Sequence, residues 1–434
     1  MAIFDRVVET IERYGLISVF LSVFLFFQPF QKFAGVRSTA FVLLLAAFAV
    51  KAAKRGLRIG FSDWTVIGML LLAAVSVLSS ALSPYAFDSF DAIRKSLLYQ
   101  ATVFFVILNE YRDLSGLRPA LLSMLAGFAA LTLAILLTRD ANVLMNWLDY
   151  SNTVRRDPLL GGYSLFATFY VPLAFACLYA SGEGVGVKAA MAIFICLESA
   201  LSVLNNHRAQ VVAIISAAIL ITLLARRYRT VAAIIIAALV AGAVLLQINP
   251  GSMDRYRTLL YAKTYVSNEH EALNNRLAIW KGASDMVRER PIVGWGYGWK
   301  KISTVAKERF LERWKEAPET YEYFNTSGYG GANPHNLALQ ILFEVGAVGL
   351  IAFVFFWSTI LLKAVSVYGR AGASAAFLWC AIPGVLLSYA IINTTNGLWE
   401  EAMGNLMMAF AACCVVVYRQ ACASGHSERA SGQQ

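Results

Sequence analysis

Charge and histidine are what this chain has least of. Only 15% of its 434 residues are Asp, Glu, Lys or Arg, and four are histidine. A soluble protein of this length needs a more polar surface, so a freely soluble globular fold is excluded. His207, His270, His335 and His426 are widely separated, and no His/Asp/Glu cluster has metal-ligand spacing. There is no Asp-x-Asp pair, so divalent-metal chemistry has no sequence support. Cysteine is sparse as well. Cys177, Cys196, Cys380, Cys413, Cys414 and Cys422 fall in or beside apolar runs and form no CxxC pair. They read as small apolar residues, not as a disulfide framework or a metal site. We therefore expect no metal and no cofactor.

What the chain has is apolar length. Hydrophobic residues make up 58% of it, and apolar runs of about 18 residues or more recur from end to end. They predict an all-α polytopic membrane protein with about twelve transmembrane helices, near 14–30, 39–53, 64–82, 97–108, 117–137, 163–180, 187–204, 211–224, 231–248, 335–362, 375–392 and 403–418. Residues 1–13 are amphipathic and charged, with no small-residue cleavage site after the first run, so that run is expected to stay as an anchor. Residues 1–434 read as a single domain, and 423–434 as a disordered tail.

The formal net charge of +10 is a topological signal rather than a nucleic-acid footprint. Lys51, Lys54, Arg55 and Arg58, then Arg112 and Arg118, then Arg226, Arg227 and Arg229, then Lys363 and Arg370 occupy alternate loops. That pattern places those loops and both termini in the cytoplasm. The opposite side then carries 83–100, 139–162, the Asn205–Arg208 turn, the long loop 249–334 and 393–401. Within the long loop, Asn274–Arg290 predicts a helix with Leu277, Trp280, Ser284 and Val287 on one face and Lys281 paired with Asp285. Lys301–Tyr323 predicts a second, strongly charged amphipathic helix. This loop is the one segment able to form a small polar lid.

The unusual polar residues gather on that outer side. Gly330-Gly331-Ala332-Asn333-Pro334-His335-Asn336 leads from the long loop into an apolar run. Asn333 fits a helix N-cap, Pro334 the first helical residue, and His335 the first turn. The positive end of the helix dipole disfavours imidazolium, which suits His335 to act as a proton acceptor. Arg208 follows Asn205-Asn206-His207, Arg276 opens the predicted loop helix, and Arg94 and Lys95 follow Ser83-Pro84-Tyr85. Singly, such residues are interfacial anchors. Converging on one face with His335, they suit a pyrophosphate, which guanidinium groups hold bidentately. Gly294-x-Gly-x-Gly lacks the strand and βαβ unit of a dinucleotide loop, and Gly184-x-Gly-x-Lys188 lacks phosphate-loop spacing. Neither supports a nucleotide site.

Three motifs carry a resemblance. They are Asn206-His207-Arg208-Ala209; Asn275-Arg276 to Trp280, running on through Pro291-Ile-Val-Gly294-Trp-Gly296; and Pro334-His335-Asn336 followed by Leu339-Gln340-Ile-Leu-Phe-Glu344-Val-Gly346. The chain resembles the O-antigen ligase and polymerase superfamily of Gram-negative inner-membrane glycosyltransferases. It departs from the usual family form at His207 and Ala209, where serine and glycine commonly flank the arginine. The resemblance implies an O-antigen ligase of lipopolysaccharide biosynthesis, with its active site on the periplasmic side of the inner membrane. The donor would be a glycan on undecaprenyl pyrophosphate and the acceptor the lipid A–core oligosaccharide. His335 would be catalytic, Arg208, Arg276, Arg94 and Lys95 would bind pyrophosphate, and Asn336, Gln340, Glu344 and Trp280 would support them. The transfer would need no metal and would invert the anomeric centre. An O-antigen polymerase or a protein O-oligosaccharyltransferase of the same superfamily is the alternative. A lipid-linked sugar transporter is the rival from another class, with Glu198 and Glu344 as mid-membrane charges and Glu198 lacking an evident partner.

Overall fold

The computed structural model describes residues 2–139, 162–179, 184–205, 207–248, 271–325, 334–370 and 372–431. Among the described residues there is no strand. In chain order the helices are α1 (Ala2–Arg13), α2 (Leu16–Phe26), α3 (Ala34–Arg55), α4 (Trp64–Ala81), α5 (Ala86–Ala92), α6 (Leu98–Glu110), α7 (Leu114–Thr138), α8 (Tyr163–Tyr179), α9 (Val185–Asn205), α10 (Arg208–Leu224), α11 (Tyr228–Ile248), α12 (Glu271–Glu289), α13 (Pro318–Asn325), α14 (Leu337–Ser366), α15 (Ala373–Ile392) and α16 (Glu401–Ser431). Each of the twelve apolar runs falls on one of them. Among the described residues, seven helices are long and apolar enough to cross a membrane by length and composition: α3, α4, α7, α9, α14, α15 and α16. α2, α8 and α10 are apolar but shorter.

The helix starts follow local chemistry. Asp63 and Asp113 each precede an apolar run, and their carboxylates accept from the backbone amides of Thr65 at 2.9 Å and Gly116 at 2.8 Å. Each satisfies an amide that the first helical turn cannot. α4 packs against α14, α6 against α16, and α8 and α10 against α15. Bulky apolar side chains on the outward faces, such as Ile351, Val354 and Leu362 of α14, remain exposed, as a bundle surrounded by lipid requires.

A second, smaller core is built by 271–325 and closed by Phe343 of α14. The expected helix is α12, but its buried face is not the expected one. Leu277 is exposed, while Ala278, Ile279, Ala283 and Met286 are buried. Gly282 on the same side leaves room for the rings of Phe324 and Trp314, which a Cβ there would meet at 2.5 and 3.2 Å. The expected second helix over Lys301–Tyr323 is broken into 3-10 turns, a single α-turn and a π-turn before α13. Pro318 cannot continue a helix from its N-terminal side, and the break lets Phe310 and Trp314 stack at 5.4 Å inside the core. Lys281 and Asp285 do pair, at 3.4 Å. At the other extreme of the chain, α16 runs on to Ser431, where the sequence pattern from Ala423 suggested a disordered tail. Asn206, His270, Thr326 and the Gly330–Asn333 approach to His335 lie outside the described residues.

Candidate functional site

The site is organised by a break in a helix. Residues of α14 after Glu344 are interrupted at Gly346, whose φ of 67° and ψ of −169° are not helical. The segment Pro291–Gly298 fills the gap. Trp295 N–H donates to the Phe343 carbonyl at 2.8 Å, and Ala347 N–H donates to the Pro291 carbonyl at 2.8 Å. The backbone groups freed by the break are therefore satisfied by the inserted segment. Only glycine fits at position 346, because a Cβ there would lie 2.1 Å from the Ile292 carbonyl oxygen. The Gly294-x-Gly-x-Gly motif is thus a plug for a membrane helix, and no dinucleotide loop.

A row of serines at the end of α4 ties this plug down. Ser79 Oγ donates to the carbonyls of Val293 and of Glu344, the latter at 2.9 Å. Ser83 Oγ donates to the Trp295 carbonyl, and Ser80 Oγ accepts from Tyr297 N–H at 3.2 Å. Ser96 Oγ accepts from Tyr297 Oη at 3.1 Å and from Glu401 N–H at 3.0 Å. Sequence reasoning passed over these serines. Their signal was the spacing Ser76, Ser79, Ser80, Ser83, which puts several hydroxyls on one face at the end of an apolar helix.

Beneath the plug lies a buried pair of acids. Glu344 is fully buried, and its carboxylate accepts from Gly298 N–H at 2.8 Å, Gln340 Nε2 at 2.7 Å and Trp399 Nε1 at 3.3 Å. Glu400, also buried, hydrogen-bonds Glu344. Burial first, and the neighbouring Glu344 second, push the Glu400 carboxyl well above its usual value, so it carries the proton of that bond. Lys301 is 5% exposed, and its Nζ donates to the carbonyls of Gly296, Tyr297 and Gly298 at 2.6–2.8 Å. Burial pulls its amine down to about 8, although Glu344 and Glu400 oppose the shift. Neither Glu400 nor Lys301 was singled out from the sequence. Glu400 finds its partner, Glu344, in a segment far away in the chain, whereas Lys301 folds back on the carbonyls just before it.

The structure re-registers the His335 motif. Asn336, not Asn333, is the N-cap of α14, and its side chain accepts from Leu339 N–H at 3.1 Å. Leu337 N–H reaches the Asn393 carbonyl at the end of α15 at 3.0 Å. His335 therefore precedes the cap instead of lying in the first turn, and Pro334 is outside the helix. The imidazole is half-buried, and its backbone sits in the left-handed region at φ 49°. For a residue with a Cβ that conformation costs about 1–2 kcal/mol and persists only where the surroundings impose it.

The other expected residues fall at three places. Arg276 and Trp280 are half-buried on α12, which packs against α14, so the helix of Arg276 meets the helix that follows His335. Arg94 and Lys95 are exposed on the π-turn before α6, and both pair with Asp91, at 2.6 and 2.5 Å. Arg208 opens α10, which packs along α15. Its side chain lies outside the described residues. His207 is the N-cap of α10, with Nδ1 accepting from Gln210 N–H at 3.3 Å. The histidine thus does the capping that a serine would do at that position. Glu198, expected to lack a partner, accepts from Thr132 Oγ1 at 2.5 Å and from Tyr163 Oη.

Residues 189–354 match the sequence model of the O-antigen ligase family. The match supports membership of the O-antigen ligase/polymerase superfamily. Its members are membrane glycosyl-transferring enzymes that use a lipid-linked glycan donor and a lipid acceptor. No curated protein shows significant similarity to the chain. The matched stretch contains Arg208, Arg276, Trp280, His335, Asn336, Gln340 and Glu344, together with the plug and the helix break. Arg94, Lys95 and Glu400 lie outside it.

Proposed function

We propose that this chain is an O-antigen ligase that moves a glycan from undecaprenyl pyrophosphate to the lipid A–core oligosaccharide, at the periplasmic face of the inner membrane. The observation that carries the reading is His335, held left-handed just before the cap of α14, inside the stretch that matches the ligase family. His335 takes the proton of the acceptor hydroxyl as that oxygen attacks the anomeric carbon. Such general-base assistance contributes about 10²–10⁴-fold. Arg276 and Arg208 hold the pyrophosphate and stabilise the charge that grows on it as the glycosidic bond breaks. Arg94 and Lys95 contribute less, since each already faces Asp91. The pyrophosphate leaves without needing a proton, and attack from the opposite face inverts the anomeric centre. The lobe 271–325 covers the sugars while the two lipid tails stay in the bilayer.

The test is reconstitution. Purified protein is mixed with undecaprenyl-pyrophosphate glycan and lipid A–core, without metal or nucleotide, and the conjugate is looked for on a gel. A conjugate that His335→Gln abolishes supports the reading. Chain extension from donor alone replaces it with a polymerase, and glycan found only on protein replaces it with a protein O-oligosaccharyltransferase. No transfer to any acceptor, from a donor shown to bind, sinks it.

A further inference from the structure

The end of the bundle away from His335 holds a second site. A cavity of about 530 Å³ opens between the last turn of α6, the segment linking α3 to α4, and the C-terminal half of α16. That volume falls in the ~300–1,000 Å³ range of small-molecule sites. Arg58, Arg112 and Arg419 line it, and no carboxylate does.

The nearby acids are committed elsewhere. Asp63 faces Lys363 at 3.0 Å and reaches Arg419 only at 3.7 Å. Glu110 pairs with Lys51 at 2.6 Å, and Asp113 caps α7. Arg58 and Arg112 take part in no ion pair among the described residues, although Lys51, Lys54, Arg55 and Lys363 around them all do. A purely topological excess of positive charge gives no reason for the unmatched guanidinium groups to converge on one cavity.

The cavity is also held open by backbone hydrogen bonds. Asn109 Oδ1 accepts from the backbone N–H of Arg58 at 2.7 Å, and Gln420 Oε1 accepts from that of Leu114 at 2.9 Å. These bonds fix the Arg58 segment and the α16 wall before any ligand arrives. Leu108 and Val416, both buried, supply an apolar floor. Guanidinium forks match phosphate oxygens, and an apolar floor suits the part of a lipid just below its headgroup. Basic pockets between membrane helices are suited to anionic lipids on these grounds.

We propose that this cavity binds a phosphate group, carried by the headgroup of an anionic membrane lipid. Occupancy draws the α3–α4 segment, α6 and α16 together at the end of the bundle remote from the transfer site.

The experiment uses the full-length protein in detergent, titrated with phosphatidylglycerol, phosphatidylcholine or inorganic phosphate, and follows retained lipid by native mass spectrometry and the melting temperature. Phosphatidylglycerol is expected to bind and to raise the melting temperature, whereas phosphatidylcholine does neither. The Arg58→Gln/Arg112→Gln double variant should need about 25-fold more of it, at about fivefold per guanidinium. Both arginines are exposed, so the lipid-free variant should melt as the parent does. Arg94→Gln/Lys95→Gln, which removes the same charge at the other end, should bind lipid normally. An equal response to inorganic phosphate overturns the lipid assignment in favour of a soluble anion. Undiminished binding in the Arg58/Arg112 variant, or no preference for phosphatidylglycerol, overturns the site.

Discussion

The two ends of this bundle are held by different physics. At the basic end, side chains pair with side chains: Lys51 with Glu110 at 2.6 Å, Arg55 with Glu12 at 2.8 Å and Lys363 with Asp63 at 3.0 Å. At the His335 end, side chains reach for backbone. Ser79, Ser83 and Gln100 donate to carbonyls hundreds of residues away in the chain, and Lys301 donates to the plug carbonyls just before it. Backbone strain differs in the same sense. Gly56 and Gly369 turn the chain in open space, while Gly294 and Gly346 are wedged against other backbone. His335 and Glu401 adopt positive φ without being glycine, as Arg226 alone does at the basic end among the described residues. Ion pairs between flexible side chains tolerate substitution and respond to salt. A backbone plug wired to buried polar groups does neither, and it holds one arrangement. The proposed transfer site lies at this rigid end, where reacting groups can be kept in register.

The largest effect expected from this contrast is on turnover. His335→Gly should lower the transfer rate by about 10²–10⁴-fold in the reconstituted assay. The same substitution relieves the left-handed strain, so the melting temperature should hold or rise, by up to ~1 kcal/mol of stability. A loss of stability would mean that the imidazole is a packing element rather than a reacting group. Next comes Gly346→Ala, which drives a methyl into the Ile292 carbonyl at a φ that disfavours alanine. It should cost about 3 kcal/mol or more and eject the plug, measurable as protease sensitivity of 290–300. If the variant melts with the parent, the plug is not what organises this end.

Asp63→Asn probes the other end. The amide can still cap α4 but loses its charge toward Lys363, and the expected cost is about 1.5–3 kcal/mol in low salt, shrinking as salt is added. Burial raises the Asp63 carboxyl, but Lys363, the Thr65 amide and Arg419 outweigh it and hold the group below its usual value. Its contribution is therefore present at neutral pH and lost as pH falls through the depressed value in the acid range. A cost unaffected by salt would erase the distinction between the two ends.

Glu400→Gln is the mildest change and the sharpest in its pH signature. The amide imitates the protonated acid, so stability at pH 4.5 and below should move little, and the variant should gain on the parent as pH rises. In the parent, the folded protein holds this proton above the ordinary carboxyl value of 4.5. Its contribution is complete below that value and is lost as pH rises toward the raised one, by up to about 1.4 kcal/mol per pH unit. Melting temperatures between pH 4.5 and 7.5 should thus fall in the parent and flatten in the variant. Lys301, half-titrated at about 8, enters only at the top of that range. Parallel slopes in the two proteins would show that the acid pair does not share a proton.

The helices were legible because their cause is local. Each apolar run carries its own reason to be helical in lipid, and Asp63 and Asp113 announce the starts of α4 and α7 by side chain alone. His335, Asn336, Gln340 and Glu344 could be read as one motif because they lie within a few turns of one another. Its register could not. Asn333 and Asn336 are both good caps, and the choice between them rests on Leu337 reaching Asn393, a contact with α15. The inward face of α12 was misread for a similar reason. Bulk suggested Leu277, whereas the face turned into the core of Trp314 and Phe324 carries Ala278, Ile279, Ala283 and Met286.

By itself, then, the sequence determined the helical class, the apolar runs, the basic loops and the motif that holds His335, since each follows from side chains close together in the chain. Tertiary structure alone decided that Pro291–Gly298 fills the break at Gly346 and that Glu344 meets Glu400. Those pairings join residues with no local preference for one another. They form because a broken helix in an apolar bundle leaves backbone groups that something else must satisfy.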